Sequence, residues 1–177
     1  MYLLLALLGA CAPAWQPSRA GRFDLAVPDA WAVTRNYRFL GTDTVVLAKG
    51  SAAMSVTVRP AEPEKRPLPL DLVAGVRALS WGRRVGVENA VLGEQEIVID
   101  GRRACAVTGL RRWRTATTGF TMVYLRAPGQ TVELVLHAPA DEIAGYAATW
   151  GTFLDAFHLT APPEPDGPLF WEDTWRR

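Results

Sequence analysis

Lysine, histidine and cysteine are scarce in this sequence. The 177 residues include 2 histidines and 2 cysteines, and the lysines are Lys49 and Lys65, so arginine supplies almost all of the positive charge. The formal net charge is only +1, and charged residues make up 21% of the chain. This balance excludes recognition of a partner by overall charge alone. The preference for arginine is typical of a GC-rich bacterial coding sequence.

The sequence also lacks the short motifs of common catalytic and metal chemistry. It contains no nucleophile elbow, phosphate-binding loop, HExxH motif or paired CxxC motif. Cys105 lies in an apolar, strand-like run without a His or an acid beside it, which favours a small buried residue over a nucleophile. We therefore expect no catalytic residue, no metal site and no cofactor.

The N-terminus carries the strongest functional signal. Residues 2–10 form an apolar run that is too short for a transmembrane helix, which needs ~20 residues, but suits a signal peptide. The run ends in Leu8-Gly9-Ala10-Cys11, which resembles the lipobox of bacterial lipoproteins. No Lys or Arg precedes it, so an ordinary cleaved signal and a plain N-terminal helix or strand stay open.

The lipobox resemblance implies a location. Residues 1–10 would be a lipoprotein signal peptide, and Cys11 would carry a diacylglycerol and a further acyl chain such as palmitate. Several acyl chains anchor a protein stably, whereas one chain does not. Ala12 follows Cys11, which implies the outer membrane of a Gram-negative cell, with the protein facing the periplasm. With Cys11 acylated, Cys105 is the only thiol left, and no internal disulfide can form.

Composition divides the rest of the chain into three parts. Residues 11–22 hold two prolines and few apolar residues, and we expect a tether. Residues 23–160 form the folded domain. Residues 161–177 are a Pro-rich linker and an aromatic C-terminal tail, in which Phe170, Trp171 and Trp175 are candidate contact residues.

Within the domain, hydrophobic patterning predicts a strand-rich fold with two helices. Asp100-Gly101 and Pro128-Gly129 mark hairpin turns between strand-like runs, and a further hairpin is expected around residues 49–51. Asp71 is expected to cap the first helix and Asp141 the second. The residues expected to face the core from the first helix are Leu72, Val73, Val76, Leu79 and Trp81. Those expected from the second are Ile143, Tyr146, Ala147, Trp150, Phe153, Leu154 and Phe157.

Three short segments carry a family resemblance. They are residues 25–31 (LAVPDAW), residues 99–102 (IDGR) and residues 154–159 (LDAFHL). Together with the order of elements, they resemble the Mog1/PsbP-like domains over residues 23–160. The resemblance implies an α+β sandwich, a mainly antiparallel sheet with two helices. Members mostly act as assembly, binding or accessory factors, and no catalytic residue is carried over.

Two groups of residues inside the domain suggest chemistry. Arginines crowd one predicted hairpin strand, with Trp113 among them: Arg102, Arg103, Arg111, Arg112 and Arg114. They suit phosphate or an anionic glycolipid, or they pair with the acids Glu94, Glu96 and Asp100. Nucleic acid is not expected outside the cytoplasm. His137, with Glu133 and Asp141, is either a metal or acid–base site, or an exposed strand histidine beside a helix cap.

These observations favour a non-catalytic, membrane-anchored lipoprotein. It would be a binding or accessory module for a protein complex of the cell envelope, or for an apolar ligand held between helix and sheet. One alternative is a hydrolase or metal-binding domain around His137. Another, which requires an unprocessed N-terminus, is a cytoplasmic chaperone-like adaptor.

Overall fold

The structure is a computed structural model that describes residues 14–61, 68–82 and 84–160. Its strands are β1 (Ala14–Pro17), β2 (Phe23–Val27), β3 (Ala32–Phe39), β4 (Thr42–Lys49), β5 (Ala52–Pro60), β6 (Val87–Ile99), β7 (Arg102–Trp113), β8 (Ala116–Ala127), β9 (Gln130–Pro139) and β10 (His158–Leu159). Its helices are α1 (Leu70–Ser80), the 3₁₀ helix Ile143–Tyr146 and α2 (Ala147–Asp155). No helix among the described residues is long and apolar enough to cross a membrane.

Seven strands form one large antiparallel sheet, in the order β3-β4-β5-β9-β8-β7-β6. The three predicted hairpins are confirmed as β4–β5, β6–β7 and β8–β9. At the β6–β7 turn, Asp100 and Gly101 both have positive φ, of 50° and 72°. Two successive left-handed residues match the right-handed twist of the flanking strands, which explains why Asp-Gly stands here.

Helix α2 and a small sheet cover one side of the large sheet, which we call the α2 face. The small sheet has the order β1-β2-β10. Alternate residues of the central strands point into this layer, including Val132, Leu134 and Leu136 of β9, as the sequence predicted. Trp150 and Phe153 of α2 close the core. Sheet and helix each bury the apolar side that neither could expose to water.

The second helix begins later than the sequence predicted. Asp141 caps no helix; the chain first forms the 3₁₀ helix, and α2 starts at Ala147 without a side-chain cap. Ile143 lies so close over Gly119 that a Cβ on this glycine would be 2.8 Å from the Ile143 Cγ2 atom. Gly119 has no side chain, so Ile143 can pack directly on β8. This contact between distant residues shapes the segment before α2, and the local sequence does not reveal it.

The predicted tether also differs from the structure. Ala14–Pro17 form β1 and pair in antiparallel register with β2. A short polar segment with prolines reads as a linker by composition. As an edge strand of the small sheet, β1 does not require a hydrophobic sequence, because the main chain supplies its hydrogen bonds to β2.

Helix α1 covers the opposite side of the large sheet, which we call the α1 face, over β6, β7 and β8. The predicted orientation of this helix is wrong for three residues. Ala74 and Ala78 are fully buried against the sheet, whereas Leu72, Val76 and Leu79 are exposed. The helix begins after Pro69, and Asp71 lies in its first turn without capping it.

Candidate functional site

The arginines of the β6–β7 hairpin divide into two groups. Near the turn, Arg103 makes two hydrogen bonds of 2.8 Å to the Glu96 carboxylate, and Arg102 donates to Asp100. These two arginines therefore show the cross-strand and turn pairing that the sequence offered as one reading. The other group lies at the far end of β7 and has different neighbours.

At that far end, guanidinium groups stack on indole rings. The Cζ atoms of Arg84 and Arg114 each lie 5.1 Å from the ring centroid of Trp113. The Cζ atom of Arg111 lies 5.0 Å from the ring of Trp81, just after α1. We call these five residues the arginine–tryptophan surface. The sequence pointed to Arg111, Trp113 and Arg114, with Arg84 as a possible neighbour, whereas Trp81 joins them only through the fold.

Arg112 points the other way. Its Cα pairs with that of Glu88 across the β6–β7 ladder, one position along from Trp113. Successive strand residues face opposite sides of a sheet, so Arg112 belongs to the α2 face and Trp113 to the α1 face. Of the six arginine and tryptophan residues predicted on this strand, the structure thus brings three together in the arginine–tryptophan surface: Arg111, Trp113 and Arg114.

Arg111 is held by more than its stacking. It donates a 3.0 Å hydrogen bond to the Gly82 carbonyl oxygen. Gly82 has φ of 56°, which favours glycine, and a Cβ there would lie 2.9 Å from an Arg111 nitrogen and displace this guanidinium. Burial, and secondarily the charge of Arg84, lower the pKa of Arg111.

None of Arg84, Arg111 and Arg114 forms an ion pair with a carboxylate in the described part of the chain. A guanidinium held over an indole by a cation–π contact still has N–H groups that can donate to another acceptor. Those groups suit phosphate or carboxylate oxygens, which arginine binds with paired hydrogen bonds. The surface can therefore bind an anionic group.

Asn89 positions this surface, and sequence reasoning missed it. Its Nδ2 atom lies 3.1, 3.1 and 2.8 Å from the carbonyl oxygens of Ala78, Leu79 and Trp81. The last carbonyls of a helix lack partners within the helix, so an amide donor there fixes the helix end. The donor comes from β6, beyond the loop, and no local pattern announces it.

His137 lies beneath the same surface. Its ring centroid is 5.3 Å from that of Trp81, and it is half-buried, so it is not the exposed strand histidine that one prediction described. Burial lowers the pKa of His137, and the charge of Arg111 lowers it further. The structure places a neutral imidazole in an aromatic layer.

The acids once grouped with His137 are elsewhere. Glu133 accepts hydrogen bonds of 3.0 and 2.9 Å from Arg59, and Arg77 lies 3.5 Å away. Asp141 is exposed and follows β9. Among the described residues, no group of three or more His, Cys, Asp or Glu side chains is placed to hold a metal ion.

A second candidate surface is the outer side of α1. Leu72, Val76 and Leu79 are 52%, 56% and 51% exposed. They are spaced by four and three residues, which places them on one side of the helix, opposite the buried alanines Ala74 and Ala78. We call these three residues the α1 row.

A third candidate is a cleft of about 390 Å³ on the α2 face. Strands β7 and β8 form its floor, and the 3₁₀ helix and α2 form its wall. Its lining is mostly apolar and includes Leu92, Leu110, Gly119, Ile143, Ala147 and Trp150. Its size and apolar lining suit a small apolar ligand.

Four predicted site residues lie outside the described residues. They are the lipidation candidate Cys11 and the tail residues Phe170, Trp171 and Trp175. The signal peptide over residues 1–10 and the tail over residues 161–177 lie outside them as well.

Comparisons with known proteins identify the fold. No family model matches the sequence, and no curated protein matches it. Solved structures do match. Cyanobacterial PsbP (CyanoP) from Synechocystis sp. PCC 6803 aligns with a TM-score of 0.65 at 14% identity, covering 86% of this chain and 95% of that one.

Two further matches come from other settings. The Ran-binding protein Mog1p of Saccharomyces cerevisiae aligns with a TM-score of 0.59 at 11% identity, covering 85% of this chain and 96% of that one. LpqN of Mycobacterium tuberculosis, which is involved in cell envelope biogenesis, aligns with a TM-score of 0.51 at 13% identity, covering 79% and 83%. The chain has the Mog1/PsbP-like fold, an α+β sandwich, as its sequence predicted.

Proposed function

We propose that this chain is a lipid-anchored, non-catalytic accessory protein of the bacterial cell envelope that binds a protein partner. Cys11, after removal of residues 1–10, would carry the anchor, and Ala12 favours the outer membrane. The roles of two proteins with the same fold support this proposal. Mog1p is a Ran-binding protein, and LpqN is involved in cell envelope biogenesis.

The α1 row is the observation that carries the binding role. A helix that fully buries only its alanines and keeps large apolar residues on its outer side presents to water side chains that usually form a core. Exposed apolar side chains in one row, with arginine and tryptophan nearby, have the composition of protein contact sites. An apolar groove on a partner would receive such a row at i, i+4 and i+7.

The aromatic tail would extend the contact. Phe170, Trp171 and Trp175 are large side chains of the kind that anchor interfaces. We propose them as a second contact segment.

Photo-crosslinking in the native envelope tests the proposal. A photoreactive residue at position 76 should capture a discrete protein, and Val76→Asp should weaken its co-purification at least tenfold while leaving the melting temperature unchanged. Val98→Asp is the matched control, because Val98 is also an exposed valine but lies on β6. Equal co-purification with both variants would reject the α1 row, and absence of an acyl group on Cys11 by mass spectrometry would reject the anchor.

The cleft supports a second candidate function, the carriage of a small apolar ligand between helix and sheet. Ala147→Phe would fill the cleft, because Ala147 lines it. Organic extraction of the purified protein followed by mass spectrometry should then recover a bound lipid from the wild type and much less from the variant. Equal recovery would exclude the cleft as the binding site.

A further inference from the structure

The register of the large sheet shows which turns share an end. Every neighbouring pair in the large sheet is antiparallel. One end of the sheet therefore holds the first residues of β3, β5, β6 and β8 and the last residues of β4, β7 and β9. The turns at residues 50–51, 84–86 and 114–115 therefore lie at the same end of the large sheet. We call it the Trp113 end of the domain. The Asp100-Gly101 turn lies at the opposite end.

The described chain also starts toward the Trp113 end. Ala14 pairs with Val27, and residues 28–31 lead from Val27 directly to the start of β3. Trp31 contacts Tyr146 at 5.8 Å between ring centroids, which places this connection beside the segment that follows β9. Strand β1 runs away from that end, so Ala14 is the residue of β1 nearest to it.

Chain length then limits the distance to the anchor. Cys11 precedes Ala14 by three residues, and an extended chain spans at most about 3.5 Å per residue, so the two are within about 10 Å. An acylated Cys11 would thus hold the Trp113 end close to the bilayer. It would leave the opposite end about one strand length away.

The side chains at this end suit a bilayer surface. Val85 is 100% exposed in the loop before β6. Trp113 is 40% exposed and pairs in register with Val87, two residues after Val85. Arg84 and Arg114 flank Trp113 on its ring. An exposed apolar tip, an indole and cations are the residues that lie at the boundary between headgroups and acyl chains.

Charge is separated between the two faces of this end. The carboxylates nearby belong to the α2 face or to the segments that cover it: Asp29, Glu88, Asp141 and Glu142. Glu142 accepts a 2.8 Å hydrogen bond from Ser51. The α1 face carries Arg84, Arg111 and Arg114, so positive charge at this end is concentrated on the arginine–tryptophan surface.

We propose that the Trp113 end faces the bilayer, with Val85 and Trp113 at the headgroup level and Arg84 and Arg114 on the phosphates of anionic lipids. The proposal rests on the lipid anchor of the proposed function. Helix α1 runs along the strands, so its outer side faces parallel to the bilayer. The α1 row therefore stays open to a protein partner. A short tether thus sets the orientation of the domain as well as its location.

Probe depth in vesicles tests this orientation. The full-length acylated protein, with Val85→Cys carrying an environment-sensitive fluorophore, is reconstituted into vesicles of phosphatidylethanolamine and phosphatidylglycerol with brominated acyl chains. Pro128→Cys, exposed at the opposite end, is the matched control. Cys105 is buried in both proteins. We expect quenching of the probe at residue 85 and none at residue 128.

A second variant tests the arginines. Arg84→Gln/Arg114→Gln should lower the bilayer-contacting fraction of the residue 85 probe on the order of tenfold, since each cation near an anionic surface adds to the attraction. Replacing phosphatidylglycerol by phosphatidylcholine should have a similar effect on the wild type. An acylated protein whose two probes are quenched equally, or whose residue 85 probe is not quenched, overturns the orientation alone. A protein without acyl groups on Cys11 overturns the anchor instead.

Discussion

The main-chain N–H of Leu159 donates a 3.0 Å hydrogen bond to the Oδ2 atom of Asp100. The other carboxylate oxygen lies 3.1 Å from Nδ1 of His158. Asp100 occupies the left-handed turn of the β6–β7 hairpin, so one side chain joins the last strand of the domain to the turn of the large sheet. The sequence predicted Asp100 only as a turn residue, but its side chain also holds β10 against the β6–β7 turn.

We predict that Asp100→Ala destabilises the domain by about 2 kcal/mol, because the Leu159 N–H loses its acceptor and alanine disfavours positive φ. Asp100→Asn is the matched control: asparagine tolerates the left-handed conformation, and its amide oxygen can still accept from Leu159. Urea unfolding followed by tryptophan fluorescence gives both values. If the two variants lose equal stability, the hydrogen bond to β10 is not what Asp100 contributes.

Gly109 gives a second prediction, since the ring of Phe120 lies directly over it. A Cβ on Gly109 would be 2.4 Å from both the Phe120 Cζ atom and the Ala90 carbonyl oxygen. Gly109→Ala must therefore shift the ring or separate two strands, and we expect a loss of at least about 2 kcal/mol. Thermal unfolding measures it.

The control for that prediction is Gly151→Ala. Gly151 lies inside α2, and nothing lies within 4 Å of a Cβ built there. Alanine favours helix over glycine by up to about 1 kcal/mol, so this variant should be stabilised. If Gly151→Ala lost as much stability as Gly109→Ala, the loss at Gly109 could not be assigned to the close approach of Phe120 and Ala90.

Local features of the chain could be predicted because their causes are local. Asp100-Gly101 dictates a tight turn through the conformation of two adjacent residues, and the alternation of β9 identifies the residues that face α2. The orientation of α1 could not be predicted in the same way. Apolar residues surround this helix, and the side that the fold buries is the one with the small residues Ala74 and Ala78, because they allow close approach to the sheet.

The candidate site depended on contacts between distant residues. Arg111 and Trp81 are 30 positions apart and meet through packing of α1 on β7. The sequence offered five arginines on one strand, and only tertiary structure separates those that pair with acids from those that stack on tryptophan. Asn89, which fixes the position of Trp81, gave no signal at all.

Cys105 should be chemically silent in the folded protein. Its side chain is buried among α1-face residues at 5% exposure, and burial is the largest cause that raises the pKa of its thiol, followed by the charges of Glu94, Asp71 and Glu96. Because the thiolate is the reactive form, we expect no labelling by a maleimide at pH 7.5 until the protein unfolds.

Peptide mapping by mass spectrometry measures this labelling. Thr108→Cys, in a Cys105→Ala background, is the matched control, because residue 108 is an exposed position on the same strand. It should react within minutes in the native protein. Rapid native labelling of Cys105 would contradict the buried position that the structure gives it.

The stability of the domain should fall below neutral pH because of His137. Burial and the charge of Arg111 hold the pKa of His137 below its ordinary value of 6.5. As the pH falls through 6.5, the unfolded chain binds a proton at this residue that the native protein does not bind. The free energy of unfolding contributed by His137 is therefore present above this pH and decreases below it, by at most about 1.4 kcal/mol per pH unit.

Urea unfolding between pH 5 and 8 should show this slope, and His137→Gln should reduce it, since glutamine does not titrate. Arg111→Gln should reduce it less, because burial is the larger cause. A wild-type slope that His137→Gln leaves unchanged would assign the acid sensitivity to other groups and contradict the position of a neutral imidazole beneath Trp81.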